Sequence, residues 1–397
     1  MSARVRPAIT AFTAVSCLGS GQRATLAALR KGSSGLRPCD FSGADFQTHI
    51  GRVDGLEENP ITGSLAQYDC RNSRLAEMTL LADDFAGHVE KCMERRGAGR
   101  IGLVLGTSTS GIQQAERAFA ERGNETLPDW FDYRHSQDVH ATTEYVGARL
   151  GIDGPCMTVS TACSSSAKVF ADARQLIEHD ICDAVVVGGV DSLCLLTLYG
   201  FRSLELTAPD ACRPNDADRA GLSIGEAGGF ALLERPGGAV ESLAVLEGVG
   251  ESSDAYHMSS PHPEGLGALG SMRGALRSAG LAPEQVDYIN LHGTGSKAND
   301  LVESRAVMSL FGGDTPCSST KGWTGHTLGA AGIIEAVIAI LAIREGFMPG
   351  NLGLRRLDPD IGTNVMATGR DADVRRVLSN SFGFGGNNCS LLFGRAT

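Results

Sequence analysis

Cys163 stands in a stretch whose residue types suit a nucleophile. In VSTACSSSAKVF, residues 159–170, three serines follow the cysteine, and Ser and Thr are residues that cap helices. Val159 favours a strand end, and the apolar spacing from Ala167 onwards predicts a helix. Cys163 would then lie at or just before a helix N-terminus, where free N–H groups and the helix dipole favour a thiolate. From this stretch alone, a small buried core residue remains the alternative.

Two histidines and a lysine further along the chain are also candidates. His292 follows a predicted buried strand in NLHGTGSKANDLVE, and Lys321 precedes His326 by five residues in TKGWTGHTLGAAG. A single histidine at a strand end is commonly structural, and the lysine could lie in an exposed loop. The glycine-rich NSFGFGGNN, residues 380–388, is typical of a tight hairpin and lacks the strand–turn–helix context of a dinucleotide fingerprint.

Strand and helix patterns alternate along the whole chain. Short apolar runs that end in Gly, Ser, Thr or Glu predict buried strands at 100–108, 182–192, 228–234 and 286–296. Between such runs, apolar residues at helical spacing predict helices, for example at 73–96 and 269–280. This alternation indicates an α/β architecture.

Two parts of the chain have the same outline. IGLVLGTSTSG from 101 and VDYINLHGTGS from 286 are each a strand that runs into a Gly–Thr turn, and each is followed later by a small-residue turn and a long apolar helix. A chain of 397 residues also exceeds one ordinary core. We expect two pseudo-symmetric α/β halves, residues 1–240 with Cys163 and residues 241–397 with both histidines. ERPGGAVES, 234–242, is the expected junction.

Composition limits the classes of partner and location. The net charge of −11 and the lack of a Lys or Arg run argue against a nucleic-acid partner. The 11 cysteines include no CxxC pair, so neither a disulfide framework nor a zinc site is indicated. No apolar stretch is long enough for a membrane span, and the apolar run near the N-terminus predicts a strand. We expect a cytoplasmic protein without membrane insertion.

Four segments occur in an order that is specific. They are Cys163 with its serines, HGTGS, KxxxGHTLGAAG and NSFGFGGNN. Together they resemble the β-ketoacyl-acyl-carrier-protein synthases, condensing enzymes of the thiolase fold, and the likeness runs over nearly the whole chain. The resemblance implies a layered αβαβα core. It also implies that an acyl group moves from a carrier-protein thioester to Cys163 and is joined to the carbanion left by decarboxylation of a malonyl thioester.

The resemblance assigns roles to single residues. Cys163 would be a nucleophile of depressed pKa, and the backbone N–H groups of Cys163 and Phe384 would bind the acyl oxygen. His292 and His326 would donate hydrogen bonds to the enolate oxygen formed on decarboxylation, each contributing ~3 kcal/mol. Lys321 would hold His326 and depress its pKa. Phe384, which lies between glycines, would also act as a mobile gate.

Other polar residues would support these groups. Glu303 would belong to a buried network with Lys321, and Asp300 matches a second acidic position of the family. Thr294 and Ser296 match hydroxyls that grip a phosphopantetheine arm. No metal and no resident cofactor are expected, because the 4'-phosphopantetheine arrives on the carrier protein.

The second histidine favours the elongating Cys-His-His class, since thiolases carry a second cysteine there and synthases with coenzyme A primers carry an asparagine. Three alternatives remain open. One is a cysteine hydrolase with a Cys-His-acid triad. Another is a non-elongating decarboxylase or a partner subunit of a heterodimeric ketosynthase. The third keeps condensation but serves aryl polyene or polyketide pathways. CSSSAK and GVDSLC depart from the commonest fatty-acid forms and resemble such synthases, and ordinary fatty-acid elongation stays open beside this interpretation.

Acyl carrier protein is the expected partner. Because the carrier protein and this chain are both acidic, docking requires a local basic patch. The candidates, each with a surface ion pair as its alternative use, are Arg71, Arg74, Arg134 and Arg202. The family is dimeric through a sheet edge near its active site, so we expect a homodimer or a heterodimer with a chain-length-factor-like subunit. The pocket floor is expected around 107–113, and segment 118–138 has no clear family match.

Overall fold

A large mixed sheet forms the centre of the molecule, for which a computed structural model describes residues 5–123, 126–237 and 240–396. Its main strands are β1 (Ala8–Ser16), β2 (Ile101–Gly106), β3 (Cys156–Val159), β4 (Ala184–Asp191), β5 (Ala227–Glu234), β6 (Ala244–Ser253), β7 (Tyr288–Asn290), β8 (Pro316–Ser318), β9 (Arg376–Gly383) and β10 (Asn387–Gly394).

Helices connect and cover these strands. They are α1 (Gly21–Lys31), α2 (Arg71–Leu81), α3 (Phe85–Arg96), α4 (Ile112–Glu121), α5 (Ala141–Leu150), α6 (Ser165–Glu178), α7 (Leu195–Ser203), α8 (Leu266–Ala279), α9 (Lys297–Phe311), α10 (Lys321–Thr324) and α11 (Ala331–Glu345). Short 3-10 turns include Gly63–Tyr68, Leu328–Ala330 and Phe384–Gly386, and a π-turn covers Tyr133–Gln137.

The strand order repeats. From the middle outwards the first half runs β1-β5-β4-β2-β3, and the second runs β6-β10-β9-β7-β8. In each half the last three strands are parallel to one another and the first three are antiparallel. β1 and β6 join the halves through Ala8–Val245 and Ile9–Ala244 pairs. The predicted pair of pseudo-symmetric α/β halves is therefore confirmed, whereas the boundary at 240 stays a prediction.

The layers follow from which helix packs on which sheet face. α6 and α11 pack on each other and on strands of both halves, and their residues belong to one buried apolar cluster. α2, α3 and α5 cover the outer face of the first half. α8 and α9 cover the outer face of the second half. α11 is buried from 331 to 343, which explains why it is apolar on all sides. The result is the expected αβαβα core.

Some predicted elements differ in extent. The helix predicted over 73–96 is wrong as one helix, because Asp83 and Asp84 adopt positive φ values of 54° and 55° between α2 and α3. The Asp83 carboxylate accepts hydrogen bonds from Thr13 Oγ1 and the N–H of Gln22, which fixes this break. The strand predicted over 286–296 ends at Asn290. The expected junction lies between β5 and β6, and its residues 238–239 fall outside the described residues. No described helix is long and apolar enough to cross a membrane.

Glycines let the two central helices approach closely. A Cβ on Gly332, at the start of α11, would lie 2.4 Å from the backbone N of Ala167 in α6. A Cβ on Gly106 would lie 2.4 Å from Ser166 N, and one on Gly189 would lie 2.4 Å from Ser166 Cβ. The N-terminus of α6 therefore packs against small residues of β2, β4 and α11.

We expect Gly332→Ala to lower the free energy of unfolding by about 1–3 kcal/mol, because the added methyl must displace the α6 backbone. Chemical denaturation of the variant and the wild type measures this difference. Gly200→Ala in exposed α7 is the matched control, since no atom lies within 4 Å of its added Cβ. There the higher helix propensity of Ala should leave stability unchanged or raise it by up to about 1 kcal/mol. Equal effects of the two substitutions would contradict the close approach.

Candidate active site

Cys163 lies in the turn between β3 and α6, directly before the helix. Ser164 occupies the N-cap position, and Ala162 has a positive φ of 53°. The hydroxyl of Ser165 donates to the Ala162 carbonyl at 2.6 Å, which holds this turn. The Cys163 side chain is buried, with 5% of the residue exposed. The predicted position at a helix N-terminus is confirmed.

His326 faces the sulfur of Cys163. Its Nε2 lies 3.0 Å from Cys163 Sγ. Its other ring nitrogen, Nδ1, accepts the backbone N–H of Leu328 at 3.2 Å. A neutral imidazole that accepts at Nδ1 carries its hydrogen on Nε2. His326 therefore presents an N–H to the sulfur.

His292 completes the group beside His326. The two imidazole rings lie 5.3 Å apart between centroids. Nζ of Lys321 donates to the His292 carbonyl and lies 3.4 Å from His292 Nδ1. Because a lysine ammonium can only donate, this Nδ1 is an acceptor and the ring hydrogen is on Nε2. Both histidines thus have a donor behind them and an N–H on the reacting side.

Lys321 was expected to hold His326, and this expectation is wrong: its ammonium contacts His292. Its charge still reaches both rings. Burial is the largest cause that holds the pKa of His292 and of His326 well below the usual value, and the Lys321 charge lowers both further. Both imidazoles are neutral at physiological pH.

Glu335, in α11, is the ion-pair partner of Lys321. Glu303, which was expected to share a buried network with Lys321, does not pair with it directly, and both side chains contact the backbone of His292. Burial raises the pKa of Glu335 to about 7, and the Lys321 ammonium opposes that rise. The signal for Glu335 was present in the sequence, because it is the single acid within the apolar run IIEAVIAILAI. An acid in a helix buried on all sides requires a buried cation or donors.

Glu303, in α9, holds the backbone around His292 instead. Its carboxylate accepts the N–H groups of His292 and Gly293, both at 2.8 Å, and Nδ2 of Asn380 at 3.1 Å. Burial raises the pKa of Glu303 to about 7, and these N–H donors act against the rise. Glu303 therefore orients the backbone of His292 without contacting its ring.

Asp300 supports the turn that follows His292. It accepts the N–H of Gly295 at 3.2 Å and that of Asn215 at 2.9 Å. It also forms a buried ion pair with Arg219, whose Nε lies 3.2 Å away. Asp300 thus fixes the 293–296 turn and does not join the Lys321–Glu335 pair.

The pKa of the Cys163 thiol was expected to be depressed, and the structure contradicts this. Burial, the largest cause, raises it to about 11. The backbone N–H of Phe384 and the Lys321 charge lower it, and the Asp191 carboxylate raises it. Removal from water therefore outweighs the N–H donors and the nearby cation.

A cleft of roughly 720 Å³ leads to these groups. Thr294 and Ser296 line it, with their hydroxyl oxygens 2.9 Å apart. Phe384 also lines it, and its ring lies 5.5 Å from that of Phe201 between centroids. Gly385, directly after Phe384, has a positive φ of 78° that a residue with a side chain rarely adopts. The three predicted residues are thus brought to one cleft, while their roles stay predictions.

Three of the four candidate docking arginines, Arg71, Arg74 and Arg134, form ion pairs within the chain. Arg71 is buried and forms ion pairs with Glu226 and Glu57, so its expected role in docking is wrong. Arg74 pairs with Asp69. Arg134 and Arg202 are exposed. Arg202 lies at the end of α7, the helix that also carries Phe201 into the cleft.

The site also contains a set of atoms that zinc could bind by type. The sulfur of Cys163 and one ring nitrogen each of His292 and His326 lie within 4.8 Å of one another. A metal-bound histidine, however, donates its other ring N–H to an acceptor. Here the other nitrogen of each ring faces a donor, Leu328 N–H or Lys321 Nζ. The set therefore suits hydrogen-bond donation and not a metal ion.

The chain matches two protein-family models and is similar in sequence to several curated proteins. The models "Beta-ketoacyl synthase, N-terminal domain" and "Beta-ketoacyl synthase, C-terminal domain" match residues 6–237 and 243–355. The mitochondrial 3-oxoacyl-[acyl-carrier-protein] synthase of Arabidopsis thaliana is 40% identical over 325 residues, which cover 77% of this chain and 69% of that protein. The 3-oxoacyl-[acyl-carrier-protein] synthase 2 of Coxiella burnetii is 32% identical over 420 residues, covering 98% of each chain.

Solved structures give the same placement. The ketosynthase ApeO, in complex with its chain length factor ApeC from Xenorhabdus doucetiae, has a TM-score of 0.90 and 37% identity, covering 99% of this chain and 98% of that one. The ishigamide ketosynthase/chain length factor has a TM-score of 0.90 and 29% identity, covering 100% of each chain. With both family models matched along most of its length, this chain belongs to the β-ketoacyl synthase family.

Proposed function

We propose that the chain catalyses decarboxylative Claisen condensation between an acyl group held on Cys163 and a malonyl thioester on acyl carrier protein. The product is a β-ketoacyl-carrier protein two carbons longer. The observation that carries the proposal is the contact of 3.0 Å between Cys163 Sγ and His326 Nε2, with His292 beside it and donors behind both rings. Membership of the β-ketoacyl synthase family supports it.

In the first step the sulfur of Cys163 attacks the acyl thioester, and the phosphopantetheine thiol departs. The proton of the cysteine thiol leaves on that departing thiol, so no separate base is consumed. Negative charge develops on the acyl oxygen, and backbone N–H groups can stabilise it. Those of Phe384 and Cys163 are close enough to the cysteine sulfur to lower the pKa of its thiol.

In the second step the malonyl thioester loses carbon dioxide, and the electron pair of the broken C–C bond passes to an enolate. Two neutral imidazoles with N–H on Nε2 donate to that enolate oxygen, and neither has to give up its proton. The enolate carbon then attacks the acyl carbonyl on Cys163, and the cysteine leaves as a thiolate, which takes up a proton from water in the cleft. Thr294 and Ser296 line the cleft where the phosphopantetheine arm would lie. No resident metal or cofactor is part of the proposal.

A cysteine hydrolase fits the site less well. A Cys-His-acid triad places a carboxylate on the ring nitrogen that faces away from the nucleophile, where it stabilises the imidazolium. On His326 that nitrogen accepts the N–H of Leu328. An N–H at this position opposes a protonated ring and supports a neutral donor.

The proposal includes acyl carrier protein and a second ketosynthase-fold subunit as partners. ApeO and the ishigamide ketosynthase are each described together with a chain length factor. Within the described residues, β3 pairs with β2 on one side and has no strand on the other, and Met157 on it is 40% exposed. A copy of this chain or a chain-length-factor-like subunit would cover this edge. The cytoplasmic location expected from the sequence stays a prediction.

Cys163→Ala should abolish the acyl adduct that forms when the protein is incubated with acyl-carrier-protein thioesters, and condensation should fall at least about 1,000-fold. Intact mass spectrometry detects the adduct, and product analysis after addition of malonyl-carrier protein detects the longer ketoacyl chain. Cys92→Ala, in α3 and outside the site, is the control and should keep both. An adduct on Cys163→Ala would contradict the assignment. The acyl chain that the wild type prefers separates fatty-acid from polyene elongation.

His292→Ala and His326→Ala should separate the two steps. Each removes one donor to the enolate, so release of carbon dioxide from malonyl-carrier protein should fall about 100- to 1,000-fold in both. Only His326 contacts the sulfur, so acyl loading should slow in His326→Ala and stay near the wild-type rate in His292→Ala. The rates of adduct formation and of carbon dioxide release, measured by quenching the reaction at a series of times, test this. Loss of loading in both variants alike would contradict the division of roles.

The reactivity of Cys163 should rise with pH well beyond neutrality. Because burial raises the pKa of the thiol to about 11, the thiolate fraction increases about tenfold for each pH unit from 7 to 10. Alkylation by iodoacetamide, read as adduct on the Cys163 peptide, measures this dependence. A rate that levels off near pH 7 would show the depressed pKa that the sequence had suggested.

A further inference from the structure

Asp191, the last residue of β4, is fully buried near the nucleophile and is not used in the chemistry above. Within the described ranges, no Arg, Lys or His lies in ion-pair contact with it. N–H and O–H donors hold its carboxylate instead. A buried carboxylate without a counter-ion is costly unless such donors satisfy it. The position of Asp191 is therefore fixed by the turns that supply the donors.

These donors come from two separate turns. Asp191 Oδ1 accepts the Thr107 hydroxyl at 2.6 Å and the N–H groups of Ser108 and Thr109, both at 2.8 Å. The Thr109 hydroxyl adds a further bond at 2.8 Å. Oδ2 accepts the N–H of Gly329 from the other turn, and it also lies 3.0 Å from the N–H donor of Ser108. One carboxylate thus connects the segment after β2 with the segment before α11.

Each turn continues to a reacting residue. On one side, the Ser108 hydroxyl donates to the carbonyl of Ala162 at 3.3 Å, and Ala162 directly precedes Cys163. On the other side, the N–H of Leu328 donates to Nδ1 of His326. Leu328 has a positive φ of 53°, an uncommon conformation that its surroundings must maintain.

We propose that Asp191 is a positioning residue for the condensation. Its two oxygens hold the 107–109 and 327–329 turns at one separation. They thereby set the contact between Cys163 and His326 and keep the N–H on Nε2 of the histidine. The role in condensation rests on the proposed function above.

The two turns are in close contact at Gly329, where there is no room for a side chain. A Cβ on Gly329 would lie 2.6 Å from Ser108 Oγ and 2.7 Å from Asp191 Oδ2.

The charge of Asp191 also argues for positioning and against activation of the thiol. Of the charged groups that act on Cys163, Lys321 lowers the thiol pKa, whereas Asp191 raises it.

Asp191→Asn tests the proposal because it replaces one carboxylate oxygen by an amide NH₂ group. With the amide oxygen at the Oδ1 position, the hydrogen bonds of residues 107–109 to that atom are kept. The amide NH₂ at the Oδ2 position then faces the N–H of Gly329, and more distantly that of Ser108, donor against donor. We expect condensation to fall about 100-fold, as for a small displacement of reacting groups. We also expect alkylation of Cys163 by iodoacetamide to shift to lower pH, because a negative charge near the thiol is removed.

Gly329→Ala is a second variant that separates the turns and leaves the charge of Asp191 in place. It should lower condensation without moving the alkylation profile to lower pH. Glu234→Gln is the control: it converts a buried carboxylate to an amide at the opposite end of the same sheet, and should leave rate and profile unchanged.

Two results would overturn the proposal. One is a Gly329→Ala or Asp191→Asn variant that condenses at the rate of the Glu234→Gln control. The other is a loss of rate in Asp191→Asn with an unmoved alkylation profile and a lowered Tm, which would show a structural role only. Alkylation needs no acyl substrate. Failure of the proposed function would therefore show in the wild type, and failure of this proposal only in the variants.

Discussion

A hydrogen-bond donor behind each histidine is the constraint on which the rest of the site depends. Lys321 donates towards Nδ1 of His292, and the N–H of Leu328 donates to Nδ1 of His326. Since an imidazole that accepts on one nitrogen keeps its proton on the other, both rings offer N–H to the cleft. A buried ammonium needs a counter-ion, and Glu335 supplies it from α11, which is buried from 331 to 343. The chemistry of the cleft thereby determines a charged pair in the core.

Pseudo-symmetry explains how residues far apart in sequence meet. Cys163 follows β3, and His326 lies between β8 and α11 in the corresponding connection of the second half. The turn at 107–109 follows β2, as the turn that begins with His292 follows β7. The two kinds of connection meet because α6 and α11 are neighbours in the central layer and glycines let their N-termini approach. The first half contributes the nucleophile Cys163. The second half contributes the two histidines, which donate hydrogen bonds to the enolate that reacts with the acyl group on Cys163.

The sequence was informative where local pattern and chemistry coincide. The apolar periodicity after Cys163 predicted its helix, and the strand predicted over 100–108 ends within two residues of its predicted end. The strand predicted over 286–296 was placed correctly but ends at Asn290. The prediction for Lys321 was wrong. Its flexible four-carbon side chain can reach either histidine, and the path of α10 decides which one it contacts. Glu335 was also missed as the ion-pair partner, although a lone acid in an apolar helix is a visible signal. Asp191 was visible only as part of GVDSLC, since its donors come from turns more than eighty residues away on one side and more than a hundred on the other.

Burial raises the pKa of the Cys163 thiol. It does not disfavour the acylated cysteine, but it disfavours departure of the cysteine as a thiolate. In the acylated enzyme the sulfur carries no charge, so a desolvated site does not disfavour it. In the last step the cysteine must leave, and a thiol of high pKa is a poor leaving group. The groups that lower its pKa, the Phe384 N–H and the Lys321 charge, therefore assist both its attack and its departure. The loop 383–386 consequently serves the chemistry through its backbone as well as bordering the cleft with the Phe384 ring.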